Sequence, residues 1–177
     1  VDPIRSLAGR TIDEGAILGG IFLPGTISDR VTRAYDKHLF NGATLQDLPN
    51  DAAKEGPRFI FNATSVQTGA LWRFSRPYMG DHHVGLIGSP KLPLARAVAA
   101  SSAFPPVLSP VVLEIDQPFT NIEKTDLHHE PYTTEVVLAD GGVYDNLGVR
   151  AFDLLGVIAL HVARHQAVVE LAHDAAL

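Results

Sequence analysis

Glu135-Val136-Val137-Leu138-Ala139-Asp140-Gly141-Gly142 is the stretch on which the fold reading turns. Its apolar centre has the length and the β-branched character of a short strand buried on both faces. The run ends abruptly in an acid and two glycines. In an open α/β sheet, ligands bind outside the carboxyl ends of the strands, so an acid at such an end stands where catalytic groups usually stand. The glycines allow backbone angles that a Cβ resists. Taken alone, aspartate followed by glycine is turn chemistry in most proteins. The surroundings have to decide.

Upstream, Arg58-Phe59-Ile60-Phe61-Asn62 follows a turn cluster at Pro57 and reads as a second buried strand, with Thr64 to Trp72 as its end and a loop. Leu92 to Ala103 is alanine-rich and reads as a tightly packed helix, stopped by Phe104-Pro105-Pro106. Val107 to Ile115 reads as extended. Nearer the start, Thr11 to Glu14 has the spacing of a capping box and opens a helix running to about Phe22. Val31, Ala34, Tyr35, His38 and Leu39 form one apolar stripe of a further helix beginning after Ser28, which Asn41-Gly42 closes. Thr44 to Leu48 reads as a helical turn before Pro49. Ala151 to Leu177 is apolar and alanine-rich, and is expected to be helical. Helices alternating with short apolar strands predict an α/β fold with a largely parallel sheet flanked by helices.

Composition narrows the function. The chain has 177 residues, enough for one domain with a sizeable core. Its 20 acids against 14 bases give a net charge of −6, with no basic stripe for a nucleic-acid partner. The absence of cysteine removes disulfide scaffolds, thiolate metal sites and cysteine nucleophiles together. The longest apolar run, Leu154 to Ala163, has 10 residues and is interrupted by His161, whereas a membrane-spanning helix needs about 20. A cytoplasmic or peripheral membrane location is therefore favoured over a transmembrane one.

Three ordered blocks give the Asp-Gly-Gly turn a context. They are FIFNATSVQTG from Phe59 to Gly69, LARAVAASSAFPP from Leu94 to Pro106, and LADGGVYDNLG from Leu138 to Gly148. Together they resemble the patatin-like phospholipases over about residues 58–150. That family has an Ala-Ser-x-Ala-x-Pro helix end and a later Asp-Gly-Gly or Asp-Gly-Ala turn. The resemblance implies a patatin-like α/β fold and a Ser–Asp dyad acting on acyl esters of lipids, without a cofactor or metal. It makes Asp140 the general base that takes the serine proton, and Gly141 and Gly142 the turn of the motif. The implied partners are a lipid or acyl-ester substrate and, as a further candidate, a membrane surface.

The other half of the dyad is missing from this sequence. No Gly-x-Ser-x-Gly elbow occurs: Ser89 and Ser65 lack the two glycines, and the family's glycine-rich oxyanion loop is also absent. The expectation is that residues 1–177 form the later part of a single, incomplete patatin-like domain whose nucleophile lies in a missing upstream segment. An alternative is a noncatalytic remnant of the fold that acts as a binding or interaction module.

Other signals read as structural. His161 and His165 have the i, i+4 spacing of metal ligands, but the metalloprotease glutamate is absent between them. His82-His83 and His128-His129 sit in polar, loop-like stretches. Ser101 and Ser102 lie near a helix end, where packing or capping accounts for them. Leu71 to Met79 mixes aromatics with arginines; it reads as a loop packing its aromatics inward, with lipid head-group contact as the rival. Asp145 and Asn146 are expected to hold the turn and start the next helix.

Overall fold

The computed structural model describes residues 27–104 and 110–145. All of them fall within one compact unit, Val1–Asn146. The chain enters through helix α1 (Ile27–Tyr35), which widens into a π-helical turn over Asp36–Phe40. Asn41 ends it in the left-handed conformation (φ 49°), its N–H donating to the Asp36 carbonyl at 2.7 Å. A 3-10 turn, Leu45–Asp47, follows; Thr44 caps it, and the Asp47 carboxylate accepts from the Thr44 N–H at 2.8 Å. These elements match the sequence reading, because local cap chemistry sets them.

Six strands form one sheet: β1 (Ile60–Ser65), β2 (Leu71–Ser75), β3 (Tyr78–Asp81), β4 (Gly85–Gly88), β5 (Val111–Glu114) and β6 (Glu135–Asp140), in the order β4-β3-β2-β1-β6-β5. Every strand pair among the described residues is antiparallel. This corrects the expectation of a largely parallel sheet. The links explain three of the five pairs: residues 66–70, 76–77 and 82–84 join β1 to β4 as successive hairpins, and a parallel return needs a crossover of about a dozen residues or more. Gly69 (φ +66°) makes the first hairpin turn, its N–H donating to the Ser65 carbonyl at 2.9 Å. The segment read as an aromatic loop is thus strands β2 and β3.

Side chains alternate across the sheet. Phe61 and Ala63 on β1 sit opposite Phe74 and Trp72 on β2, and Leu138 of β6 lies opposite Ser65. This face carries the core with Val31 of α1, Leu45, and Ala97 and Ala100 of helix α2 (Leu94–Ser101). Ala97 and Ala100 are fully buried, and their short side chains let α2 approach the sheet closely. Trp72 and Phe74 are also fully buried, each worth about 2–3 kcal/mol of apolar burial. The indole N–H of Trp72 finds no hydrogen-bond acceptor. An ion pair between Arg96 of α2 and Asp29 of α1 (3.0 Å) joins the helices, and its exposure keeps its contribution small.

Candidate active site at the end of strand β6

Asp140 is the last residue of β6 and sits opposite Ala63 of the neighbouring β1. Its backbone is tied on both sides. The Asp140 N–H donates to the Ala103 carbonyl just past α2 (3.0 Å), and the hydroxyl of buried Thr64 donates to the Asp140 carbonyl (2.9 Å). The three sequence blocks that carried the resemblance therefore meet at one residue: Thr64 comes from the first, Ala103 from the second and Asp140 from the third.

The carboxylate is half-buried and only half committed. Oδ1 accepts from the Gly142 N–H at 2.6 Å, which fixes the side chain over its own turn. Among the described residues nothing donates to Oδ2. A fixed carboxylate with one open oxygen can accept a proton from a hydroxyl brought to it. Gly141 is buried, and a Cβ there would fall on the Asn62 carbonyl, 2.9 Å from its carbon, so glycine is required for the turn to pass β1. Gly142 opens the short helix α3 (Gly142–Asp145), so this helix starts within the turn and Asp145 ends it rather than starting it as expected. Asn146 lies outside the described residues.

The serines weighed from sequence do other things. Ser102 follows the last turn of α2, and its hydroxyl donates back to the carbonyls of Val98 (2.9 Å) and Ala99 (3.3 Å). Ser65 is buried and its oxygen accepts from the Thr68 N–H at 3.3 Å, inside the β1–β2 turn. Trp72 and Phe74 point into the core, which removes them as head-group contacts.

The histidines are separately engaged. His83 pairs with Asp126 (2.7 Å), His128 with the Val84 carbonyl (2.7 Å) and His129 with the Glu130 carbonyl (2.8 Å). Hydrogen bonding from His83 holds the Asp126 carboxyl below its ordinary value. Among the described residues no group of three His, Asp or Glu side chains is placed to hold a metal ion. His161 and His165 lie outside the described residues. No helix among the described residues is long and apolar enough to cross a membrane.

Sequence reasoning missed the role of Thr64. Its only signal was a β-branched hydroxyl residue on a buried strand, which is commonplace.

The family model described as Patatin-like phospholipase matches residues 4–153. The chain belongs to the patatin-like phospholipase family. The match begins well before Pro57, so the family assignment takes in the helical stretch ahead of the three blocks. No curated protein and no solved structure matched the chain. Membership of this family associates the patatin-like chain with hydrolysis of lipid acyl esters.

Proposed function

We propose that this patatin-like chain supplies the aspartate of a Ser–Asp dyad that hydrolyses acyl esters of lipids, with Asp140 as general base. The observation that carries the reading is the divided carboxylate: Oδ1 is anchored on the Gly142 N–H while Oδ2 is open. The nucleophile in this reading is a serine outside these 177 residues, in the upstream part of the same domain. As its Oγ attacks the ester carbonyl, the hydroxyl proton passes to Asp140 Oδ2. Collapse of the tetrahedral adduct expels the alcohol, which takes that proton and leaves an acyl-serine. Water then attacks the acyl-serine, again giving a proton to Asp140, and the serine leaves protonated with release of the fatty acid.

The neighbourhood suits an acyl substrate. Phe104, next to the Ala103 that bonds Asp140, is 59% exposed, and Val143, three residues beyond Asp140, is 55% exposed. Exposed apolar side chains this close along the chain to Ala103 and Asp140 offer contact to an acyl chain or a membrane surface.

The test is Asp140→Asn in the polypeptide that carries both the upstream elbow and these residues. The amide keeps the bond to Gly142 but cannot take the serine proton. Hydrolysis of nitrophenyl esters and phospholipids should fall about 10²–10⁴-fold, with no dependence on added metal in either protein. Wild-type turnover in Asp140→Asn would remove Asp140 from the reaction. Absence of ester hydrolysis by the intact polypeptide would favour the binding-module reading instead.

A further inference from the structure

The face of the sheet turned away from α2 holds a cation that has no hydrogen-bond or ion-pair partner among the described residues. Arg73 of β2 sits directly opposite Asn62 of β1, so both side chains leave the sheet on the same face, one residue out of step with Ala63, Trp72 and Asp140. Buried neighbours on that face include Thr64, Leu71 and Ala139, which makes it a low-dielectric setting. Arg73 Nε and Asn62 Oδ1 are both shut off from solvent without a hydrogen-bond partner. Among the described residues the two side chains make no hydrogen bond or ion pair through their remaining polar atoms either, and both residues are only partly buried. The accessible edge of the pair therefore presents donors alone.

The flanks of the row are bare. Arg73 is opposite Gly80 on its other side, and Gly141 lies against Asn62. Gly80 (φ +141°) has its Cβ direction blocked by the Gly85 carbonyl, and that of Gly141 is blocked by the Asn62 carbonyl. Neither position can carry a side chain, so nothing from this row covers the two donor groups. Leaving a partly buried guanidinium unpaired is costly, and such a group in a folded protein calls for a partner.

We propose that Arg73 and Asn62 form a binding site for a phosphate-class oxyanion, on the opposite face of the sheet from Asp140. The guanidinium fork grips two oxygens and the Asn62 amide a third, which matches the several acceptor oxygens of a phosphate better than the two of a carboxylate. The site is independent of the Ser–Asp reading, since neither side chain shares a face with Asp140. The source of the anion is either free phosphate or the phosphate of a lipid headgroup, and the experiment separates these.

The full polypeptide is titrated calorimetrically with inorganic phosphate and, at matched ionic strength, with acetate; its sedimentation with vesicles of phosphatidylcholine alone, or with added phosphatidic acid, is measured in parallel. Phosphate should bind, and Arg73→Gln should weaken it by about tenfold or more, the loss expected for charge-assisted hydrogen bonds. Arg73→Lys should retain part of the affinity, having the charge without the fork. Asn62→Asp provides a variant for the case in which Arg73→Gln does not fold: its carboxylate should pair with Arg73 and block phosphate. Phosphate binding in solution marks the free anion as the ligand, whereas sedimentation with phosphatidic acid vesicles without solution binding marks the headgroup. Either dependence must disappear in Arg73→Gln or Asn62→Asp. Equal phosphate affinity in wild type and these variants, acetate binding as tight as phosphate, or no binding of either probe would each overturn the site. None of these readouts uses ester hydrolysis, so failure here leaves the dyad untouched.

Discussion

The hydroxyl of Thr64 donates to the main-chain carbonyl of Asp140 across 2.9 Å, joining residues 76 positions apart in sequence. Thr64 is 6% exposed, so its hydroxyl has little access to water as an alternative partner. Thr64→Val keeps the shape and deletes the donor. It should cost about 0.5–1.5 kcal/mol, the net worth of one intramolecular hydrogen bond, while Thr64→Ser should cost less. Thermal unfolding of the two variants checks this. Under the proposed mechanism, Thr64→Val should also lower kcat more than it changes KM, because it loosens the base rather than the substrate contacts.

Two glycines should lose stability to different degrees on the same substitution. Gly141→Ala drives a methyl into the Asn62 backbone, which cannot give way as a side-chain tip could. A loss of about 3 kcal/mol, or failure to fold, is expected. Gly69→Ala meets open space, and only its positive φ opposes the change, at about 1–2 kcal/mol. Denaturant midpoints rank the pair, and an equal cost would refute the steric account.

Ser102→Ala should leave ester hydrolysis unchanged in the full polypeptide, and a fluorophosphonate probe should label wild type and variant alike. The Ser102 hydroxyl is spent on the last turn of α2. Loss of labelling in Ser102→Ala would make it the nucleophile.

Acid should destabilise the fold through three carboxylates. Asp47 is held below the ordinary 3.8 by its hydrogen bonds from Thr44, Asp51 by its hydrogen bond from Arg58, and Asp126 by that from His83. A depressed folded value means the contribution is fully present above the unfolded value and is lost as pH falls through the folded one. These groups should therefore leave stability flat above about pH 5 and erode it below about pH 4. Replacing all three with asparagine should flatten the acid limb in a plot of unfolding midpoint against pH.

Local chemistry was the legible part of the sequence. The helical turn at Thr44 to Leu48, the Asn41-Gly42 stop and the apolar run into Asp140 depend on neighbours within a few residues, and each stands as read. Strand direction was not legible. It depends on which segments pair, and β2 to β4 are short, separated by Arg76-Pro77 and by His82 to Val84, and lack a clean alternation to announce them. Arg73 looked like one of two arginines in an aromatic loop; only the register against Asn62 separates it from Arg76, whose guanidinium is capped by the carbonyls of Gln46 and Leu48. The meeting of Thr64, Ala103 and Asp140 is a long-range fact of the same kind.

The indole of Trp72, wholly enclosed and without an acceptor for its N–H, gives the sheet an optical signature. It is the sole tryptophan of the 177 residues, so the emission of this chain reports one place, between the β1–β2 pairing and the α2 packing. In so dry and apolar a surrounding, its fluorescence should lie toward the blue and be poorly quenched by iodide. Any event that parts α2 from the sheet should move it toward the red before the hairpins themselves come apart.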